Sequence, residues 1–272
     1  MTLPSPLSTP LPWDLVAEGY AKVTMSMLGE YAKEAFPLAH LSPTTRVIDV
    51  ACGPGTVALM VAPRVRSVDA LDFSSAMVGL LEKEIRSRNI ANIKPIVGDG
   101  QALPYADRSF DAAFSMFGLI FFPDRAKGFS ELHRTLKPGG RALVTSWGPV
   151  PRSPLMQVMM EAIQAITPEA TSAPNRAISA LEDPDNLRSE MEKAGFRDVS
   201  VRPITKHTPV NNIEDFWTEM VKGTAPLVLL RNKLGEANWG EKEKDALRAL
   251  KKKLPVLPTT LSSDAWLGVG YV

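Results

Sequence analysis

The sequence predicts an α/β fold, a doubly wound parallel sheet with helices on both faces, and three observations carry that reading. Between Arg46 and Trp147, short apolar runs alternate with amphipathic stretches, the rhythm of strands buried on both faces and joined by helical crossovers. Small residues gather at the first strand-to-helix turn, from Val50 to Thr56. An acid stands at the end of each of the first three strands, as Asp49, Asp72 and Asp99.

The elements follow in order. Pro, Ser and Thr dominate residues 1–12, a composition that gives no apolar face to bury and predicts a flexible arm. Trp13, Val16, Ala17, Tyr20 and Val23 then fall on one helical stripe, and Leu28, Tyr31, Ala32, Ala35 and Phe36 on another. Two amphipathic helices therefore cover residues 13–40. Strands are expected at 47–50, 68–71, 93–97, 110–116 and 141–147. Helices fill the gaps at 56–62, at 74–88 with Ser74 as N-cap, and at 124–136, stopping before Lys137-Pro138-Gly139-Gly140. Beyond Trp147 come helices at 154–166 and 184–194, the latter closed by Gly195, and a strand around 199–204 whose carboxyl end carries His207. Residues 211–254 read as helical, with Ile213, Phe216, Trp217 and Met220 on one face, before a final extended run at 259–272. No repeat or linker divides the chain, so residues 13–272 are expected to form one domain, with 41–147 as its binding core and 211–254 as a helical insertion.

Composition narrows the partners. The 272 residues are 44% hydrophobic and 22% charged, and 31 Lys and Arg nearly cancel 30 Asp and Glu, so a nucleic-acid or membrane partner would require a local patch. Lys251-Lys252-Lys253 follows a polar helix and reads as a solvated face. Cys52 is the single cysteine, which rules out an intrachain disulfide and a finger-type zinc site. The first residues lack the pattern of a secretion signal, and the longest apolar run, near Phe114 to Phe122, is too short to span a bilayer. A cytoplasmic protein with neither nucleic-acid nor membrane partners is expected.

Chemistry concentrates at 47–56. Gly53 and Gly55 permit backbone angles closed to larger residues and let N–H groups and the following helix start approach a polar ligand. Gly53-Pro54-Gly55-Thr56-Val57-Ala58 also satisfies the Gly-x-Gly-x-x-Ala dinucleotide fingerprint, which keeps a nicotinamide enzyme in view. Asp49 favours a cationic ligand end over a pyrophosphate, through charge-assisted hydrogen bonds of ~1.5–3 kcal/mol each, and it also suits tying down the turn. Asp72 stands where an acid takes both ribose hydroxyls; Asp69 lies too early on its strand to reach that edge. Asp99 in Gly98-Asp99-Gly100 suits an adenine amino group.

On these residues the chain resembles the class I S-adenosylmethionine-dependent methyltransferases, in particular the ubiquinone/menaquinone-biosynthesis-like branch that acts on small molecules. The family's Asp/Glu-x-Gly-x-Gly-x-Gly motif reads Asp49-Val50-Ala51-Cys52-Gly53-Pro54-Gly55, with Ala51 replacing the first glycine. Its ribose acid falls on Asp72, its adenine pair on Asp99 and Gly100 with Gln101 beside them, and its Leu-Lys-Pro-Gly-Gly signature on Leu136 to Gly140. The resemblance implies S-adenosyl-L-methionine as cofactor and a Rossmann-like seven-stranded sheet with one antiparallel strand, here 259–272. It implies a cover helix bearing Trp13 and Tyr20, and a lid at 211–254 over the acceptor. It extends the cofactor set to Ala51, Pro54, Phe73, Met77 and Ser115.

For the acceptor, Ser115 to Phe122 lacks the Asn/Asp-Pro-Pro-Tyr/Phe loop of amino-directed nucleic-acid methyltransferases. Phe117, Phe121 and Trp147 promise an apolar, aromatic wall for a hydrophobic or aromatic small molecule, joined by Trp13 and Trp217. His40, His133 and His207 are scattered, so no metal ligand set is expected, and in-line displacement of a methyl group needs none. His207 is the candidate general base. Two other readings stay open: a non-catalytic protein that binds an adenosyl ligand, and a nicotinamide-dependent dehydrogenase.

Overall fold

The computed structural model describes residues 5–168 and 180–272. Seven strands, β1 (Arg46–Val50), β2 (Ser67–Asp72), β3 (Ile93–Val97), β4 (Phe110–Met116), β5 (Leu136–Trp147), β6 (Arg197–Val210) and β7 (Thr259–Tyr271), form one sheet in the order β3-β2-β1-β4-β5-β7-β6. β1 to β5 pair in parallel, and β7 runs antiparallel to both β5 and β6. The doubly wound sheet with one reversed strand is therefore present. Strand order reverses between β1 and β4, and the crevice beyond their carboxyl ends is where such sheets bind ligands.

Helices fill the crossovers: α3 (Thr56–Val61), α4 (Ser75–Ser87), α5 (Arg125–Thr135), α6 (Pro154–Ile166) and α7 (Pro184–Lys193). Ser74 caps α4 by accepting from the Met77 N–H, and Asp124 caps α5 from the Lys127 N–H. The Lys-Pro-Gly-Gly segment lies within β5, where Gly139, at φ 77°, donates its N–H to the Val272 carbonyl. Val47, Ile48, Phe110, Phe114, Leu143 and Leu267 lie in the main core, all fully buried.

Two differences from the sequence reading concern the N-terminus. Residues 1–4 lie outside the described residues, but Pro6–Ser8 forms a single 3-10 turn and α1 (Pro10–Gly19) starts three residues before Trp13. Residues 6–8 and 10–12 are therefore helical rather than part of an arm. Pro10 suits the first helical turn because its missing N–H has no partner to lose there, and the Trp13 indole donates to the Leu7 carbonyl at 2.9 Å. The two cover helices are also continuous, α1 passing into α2 (Met25–Ala39) through a π-helical turn at Tyr20–Thr24.

The insertion between β6 and β7 comprises α8 (Ile213–Gly223) and α9 (Ala225–Lys253), the latter kinked at Gly235 with φ 72°. It builds a second apolar cluster with α6, in which Val158, Trp217, Leu227, Trp239 and Leu250 are buried. The cover meets this insertion at the π turn. The Thr24 hydroxyl donates to the Gly223 carbonyl at 2.6 Å, and a Cβ placed on Gly19 would run into the Lys222 carbonyl. Gly19→Ala is therefore expected to cost ~1–3 kcal/mol of stability as an overpacked contact, measured as a lower urea midpoint; an unchanged midpoint would mean that the cover does not dock there.

Candidate functional site

The first strand-to-helix turn has an unusual backbone. Ala51 (φ 58°), Gly53 (φ 56°) and Gly55 (φ 93°) are all left-handed. For Ala51, the residue that replaces a family glycine, this conformation costs roughly 1–2 kcal/mol. The turn is held by hydrogen bonds from the Cys52 N–H to the Leu71 carbonyl at 3.0 Å and from the Gly55 N–H to the Cys52 carbonyl at 3.0 Å. A Cβ on Gly55 would strike the Leu81 side chain, so glycine is needed there for close packing against α4.

Asp72 joins this turn to the next. Its Oδ2 accepts from the Gly53 N–H at 2.8 Å and its Oδ1 from the Ser74 N–H at 2.9 Å. Burial pushes its carboxyl up to about 6, the two hydrogen bonds pull it back in part, and the nearby Asp14 raises it. Asp49 is deeper: its Oδ2 accepts from the Ala58 N–H at 3.1 Å. Burial pushes it up to about 7, against that hydrogen bond and with help from the Asp72 charge. Asp99 folds back on its own loop, its Oδ1 accepting from the Gln101 N–H at 2.8 Å, while Gln101 Oε1 accepts from the Asp124 N–H at 2.9 Å.

Above this edge lies a continuous cavity of ≈ 910 Å³. Of the sequence-predicted residues, Trp13, Tyr20, Ala51, Gly53, Asp72, Phe73, Met77, Asp99, Gly100 and Gln101 line one end. Phe117, Phe121 and Trp147 border the same space. Phe117 stacks on Trp147 at 4.2 Å between centroids, and the buried Tyr31 meets both rings edge-on, at 5.3 and 5.7 Å. Phe117 is itself left-handed, at φ 61°, and its N–H donates to the Thr145 hydroxyl at 3.0 Å. Strain of this kind persists only where the surroundings fix it. Trp13 lies edge-on to Phe121 at 4.8 Å. Leu155, Met156, Met159, Phe216 and Met220 complete an apolar slot from α6 and α8.

Other predicted residues stay behind the wall. Asp49, Pro54, Gly55 and Ser115 do not reach the lining; the Ser115 hydroxyl is buried beside Gly118 without a hydrogen-bond partner. Trp217 is corrected outright as an acceptor-lining residue. Its indole is 1% exposed, lies parallel to Trp239 at 6.0 Å and donates to Glu243 at 2.8 Å. On a helix its neighbour Phe216 is turned by about 100°, and it is Phe216 that meets the cavity.

His207 also sits differently from expectation. It lies inside β6, opposite Ser262, and borders the cavity. Residues paired across antiparallel strands share a face, and neighbours along a strand alternate. Lys206 pairs with Ser263, whose hydroxyl bonds Tyr31 on the aromatic side, so the His207 imidazole belongs to the opposite face. His133 packs edge-on against Phe196, and the described residues contain no group of three or more His, Cys, Asp or Glu able to hold a metal.

Three residues at the site escaped the sequence reading. Asp14 on the cover helix accepts from the Ser74 hydroxyl at 2.6 Å and from the Ala76 N–H at 3.2 Å, pinning α1 to the start of α4. Tyr31 figured only as part of an apolar stripe, and Lys206 gave no signal. Only Tyr31 had a local cue, an aromatic hydroxyl on a buried stripe that needs a partner.

Comparison with known proteins places this geometry. Residues 47–140 match a family model described as a methyltransferase domain. The chain is 36% identical over 171 residues to the demethylmenaquinone methyltransferase of Renibacterium salmoninarum, covering 59% of this chain and 70% of that protein. Among solved structures, the YcgJ protein of Bacillus subtilis aligns with TM-score 0.59 at 19% identity, over 90% of this chain and 97% of that one. A Haemonchus contortus phosphoethanolamine N-methyltransferase, solved with S-adenosylhomocysteine, aligns with TM-score 0.56 at 17% identity, over 89% and 52%. Both structural likenesses speak for the fold.

The raised carboxyls give a pH signature. Asp49 and Asp72 hold their protons more tightly in the folded chain than at the ordinary value of 3.8. Their part of the stability is therefore intact below about pH 4 and is lost as pH rises to about 7, each tenfold gain in proton affinity corresponding to about 1.4 kcal/mol. Asp49→Asn is expected to gain stability over the parent at pH 8 and not at pH 4, by on the order of 2–4 kcal/mol in urea titrations of ligand-free protein. Equal differences at both pH values would refute the buried-charge argument.

Proposed function

The chain belongs to the S-adenosylmethionine-dependent methyltransferases of the ubiquinone/menaquinone-biosynthesis branch, and from that premise we propose a division of the cavity into a nucleoside end and an acceptor end. Family membership retires the dehydrogenase reading and that of a non-catalytic adenosyl binder. The observation that carries the division is the continuity of the space: carboxylates and bare peptide at the β1–β3 edge, aromatic rings at the β4–β5 edge, and no wall between them.

The residues fit the cofactor. Asp72 accepts from the Gly53 and Ser74 N–H groups, with the Phe73 N–H also acting on it, so a carboxylate with about four lone-pair sites keeps capacity for a ligand hydroxyl. Gly100 leaves bare backbone in the lining, where a Cβ would strike Phe122 and Val50, and Asp99 beside it supplies an acceptor for an amino group. Asp49 acts from behind the turn: it accepts from the Ala58 N–H of α3, and when ionised it places negative charge under the ligand's cationic end. When bound, S-adenosyl-L-methionine supplies an electrophilic methyl group on a sulfonium. The protein's part is to hold an acceptor atom in line with that methyl group, a positioning effect able to contribute ~7–11 kcal/mol to the barrier reduction.

At the other end, Phe117 and Trp147 offer flat apolar faces and Met156, Met159 and Met220 a deformable slot. These suit a planar ring with apolar substituents. Demethylmenaquinone, the compound in the name of the Renibacterium salmoninarum relative, has that form, and we take a quinol-type ring as the acceptor.

Calorimetric titration with S-adenosylhomocysteine tests the nucleoside end. The parent is expected to bind, and Asp72→Ala to bind at least tenfold more weakly, given ~1.5–3 kcal/mol for each charge-assisted hydrogen bond lost. Equal affinity would remove Asp72 from the site. Trp147→Ala is expected to lower transfer of labelled methyl to demethylmenaquinol while leaving S-adenosylhomocysteine affinity within twofold; the reverse pattern would exchange the two ends.

A further inference from the structure

The acceptor end holds one charged group that the aromatic reading does not use. Among the described residues lining the cavity, Lys206 is the one Lys or Arg side chain. The lining also holds four acids: Asp72 and Asp99 at the nucleoside end, Glu30 on α2 one turn before Glu34, and Glu219 on α8 beside the slot residue Met220. A cation against an apolar chamber calls for a reason, since taking an ammonium out of water is costly even when it is paired.

Register places it. Lys206 pairs with Ser263 and Ile204 with Ala265, and Ala265 in turn pairs with Trp147 of β5. Lys206, Ser263 and Trp147 therefore share one face of the sheet. Tyr31, which bonds the Ser263 hydroxyl at 2.5 Å, touches the Trp147 ring from above. The stem of Lys206 thus runs along the wall of the aromatic chamber.

Its partner does not cancel it. The Lys206 ammonium donates to Glu34 Oε1 at 2.7 Å. Glu34 also faces the Arg202 guanidinium at 3.8 Å, and that guanidinium donates to the Glu34 carbonyl at 2.6 Å. Two cations share one carboxylate, so the triad carries a net charge of about +1. Its members differ in exposure: the Lys206 side chain is 25% exposed, against 43% for Glu34 and 45% for Arg202. Of the three, Lys206 borders the cavity, while Glu34 and Arg202 are not among its lining residues. An ammonium has three donors, and one is used by Glu34.

We propose that Lys206 binds an anionic oxygen on the acceptor ring, so that this enzyme takes its acceptor as a phenolate or enolate. The inference rests on the methyltransferase reading above and deepens it. An ammonium in a low-dielectric chamber favours the ionised form of a bound hydroxyl, and the proton departs to water before the ring is enclosed. An ionised ring already carries the electron pair that attacks the methyl group: the new bond to the methyl forms as the S–CH3 bond breaks onto sulfur, and where the attacking atom is a ring carbon its hydrogen then leaves to water as a proton to restore the ring. No side-chain base is then required to ionise the hydroxyl, in accord with the placement of the His207 imidazole on the opposite face of β6. Lys206 also fixes the ring's rotation about its stacking axis, which the flat faces of Phe117 and Trp147 leave free.

The test uses the full chain saturated with S-adenosylhomocysteine and two probes of one shape: 2-hydroxy-1,4-naphthoquinone, anionic at neutral pH, and its neutral 2-methoxy ether. The parent is expected to prefer the anion by at least tenfold, Lys206→Met to lose that preference, and Lys206→Arg to keep most of it. Glu34→Gln separates binding from architecture: it breaks the same ion pair yet should leave the preference intact or larger. Equal binding of the two probes by the parent, no binding of either, or the same loss in Glu34→Gln and Lys206→Met would each overturn the proposal. S-adenosylhomocysteine affinity, read beforehand in the same proteins, should be unchanged by Lys206→Met; its absence in the parent would sink the methyltransferase reading instead.

Discussion

Two carboxylates held out of water on adjacent strands are the constraint around which this molecule is arranged. Asp49 and Asp72 stand on neighbouring strands at the edge where the sheet reverses its order, and each is tied by backbone N–H groups rather than by a cation. Burial holds both carboxyls above the ordinary carboxylate range, so ionising them near neutral pH works against their surroundings. On the proposed reading, a cationic guest with hydroxyls would offset that cost. The left-handed turn at Ala51, Gly53 and Gly55 serves the same end, since it aims the Gly53 N–H at Asp72.

The surrounding elements close this edge from above without sealing it. The cover helix is attached at two places, through Asp14 to the start of α4 and through Gly19 and Thr24 to the end of α8. One attachment touches the element that follows Asp72, the other the insertion that borders the apolar slot. The same helix therefore feels both ends of the cavity. The apolar cluster of α6, α8 and α9 gives the insertion a core of its own, with Trp217 and Trp239 at its centre, and this leaves the neighbouring Phe216 and Met220 to form the wall.

Most of the sheet was legible in the chain because parallel strands buried on both faces are written as unbroken apolar runs, and the acids at 49, 72 and 99 broke those runs at the edge where ligands bind. Local capping was equally plain at Ser74 and Asp124. Legibility failed where the decisive fact was a distant partner or a strand's phase. Trp217 and Phe216 share an apolar stripe, and only packing against α9 decides which of them is core. His207 and Lys206 are adjacent in sequence, and the pairing of β6 with β7, set some 56 residues away, decides which faces the rings. Asp14 looks like any polar residue on a cover helix until α4 is brought against it, 60 residues along the chain.

The π-helical turn at Tyr20–Thr24 sets the angular phase between the two halves of the cover. Upstream, the helix offers Trp13 and Asp14 to the cavity and to α4; downstream, it offers Leu28 and Tyr31 to the sheet. A wider turn accommodates one extra residue, and removing it to restore regular winding would rotate one half against the other by about 100°. Insertions and deletions should therefore be tolerated far less at this turn than in the segments on either side, because the length of these five residues acts as a gauge between two docking surfaces.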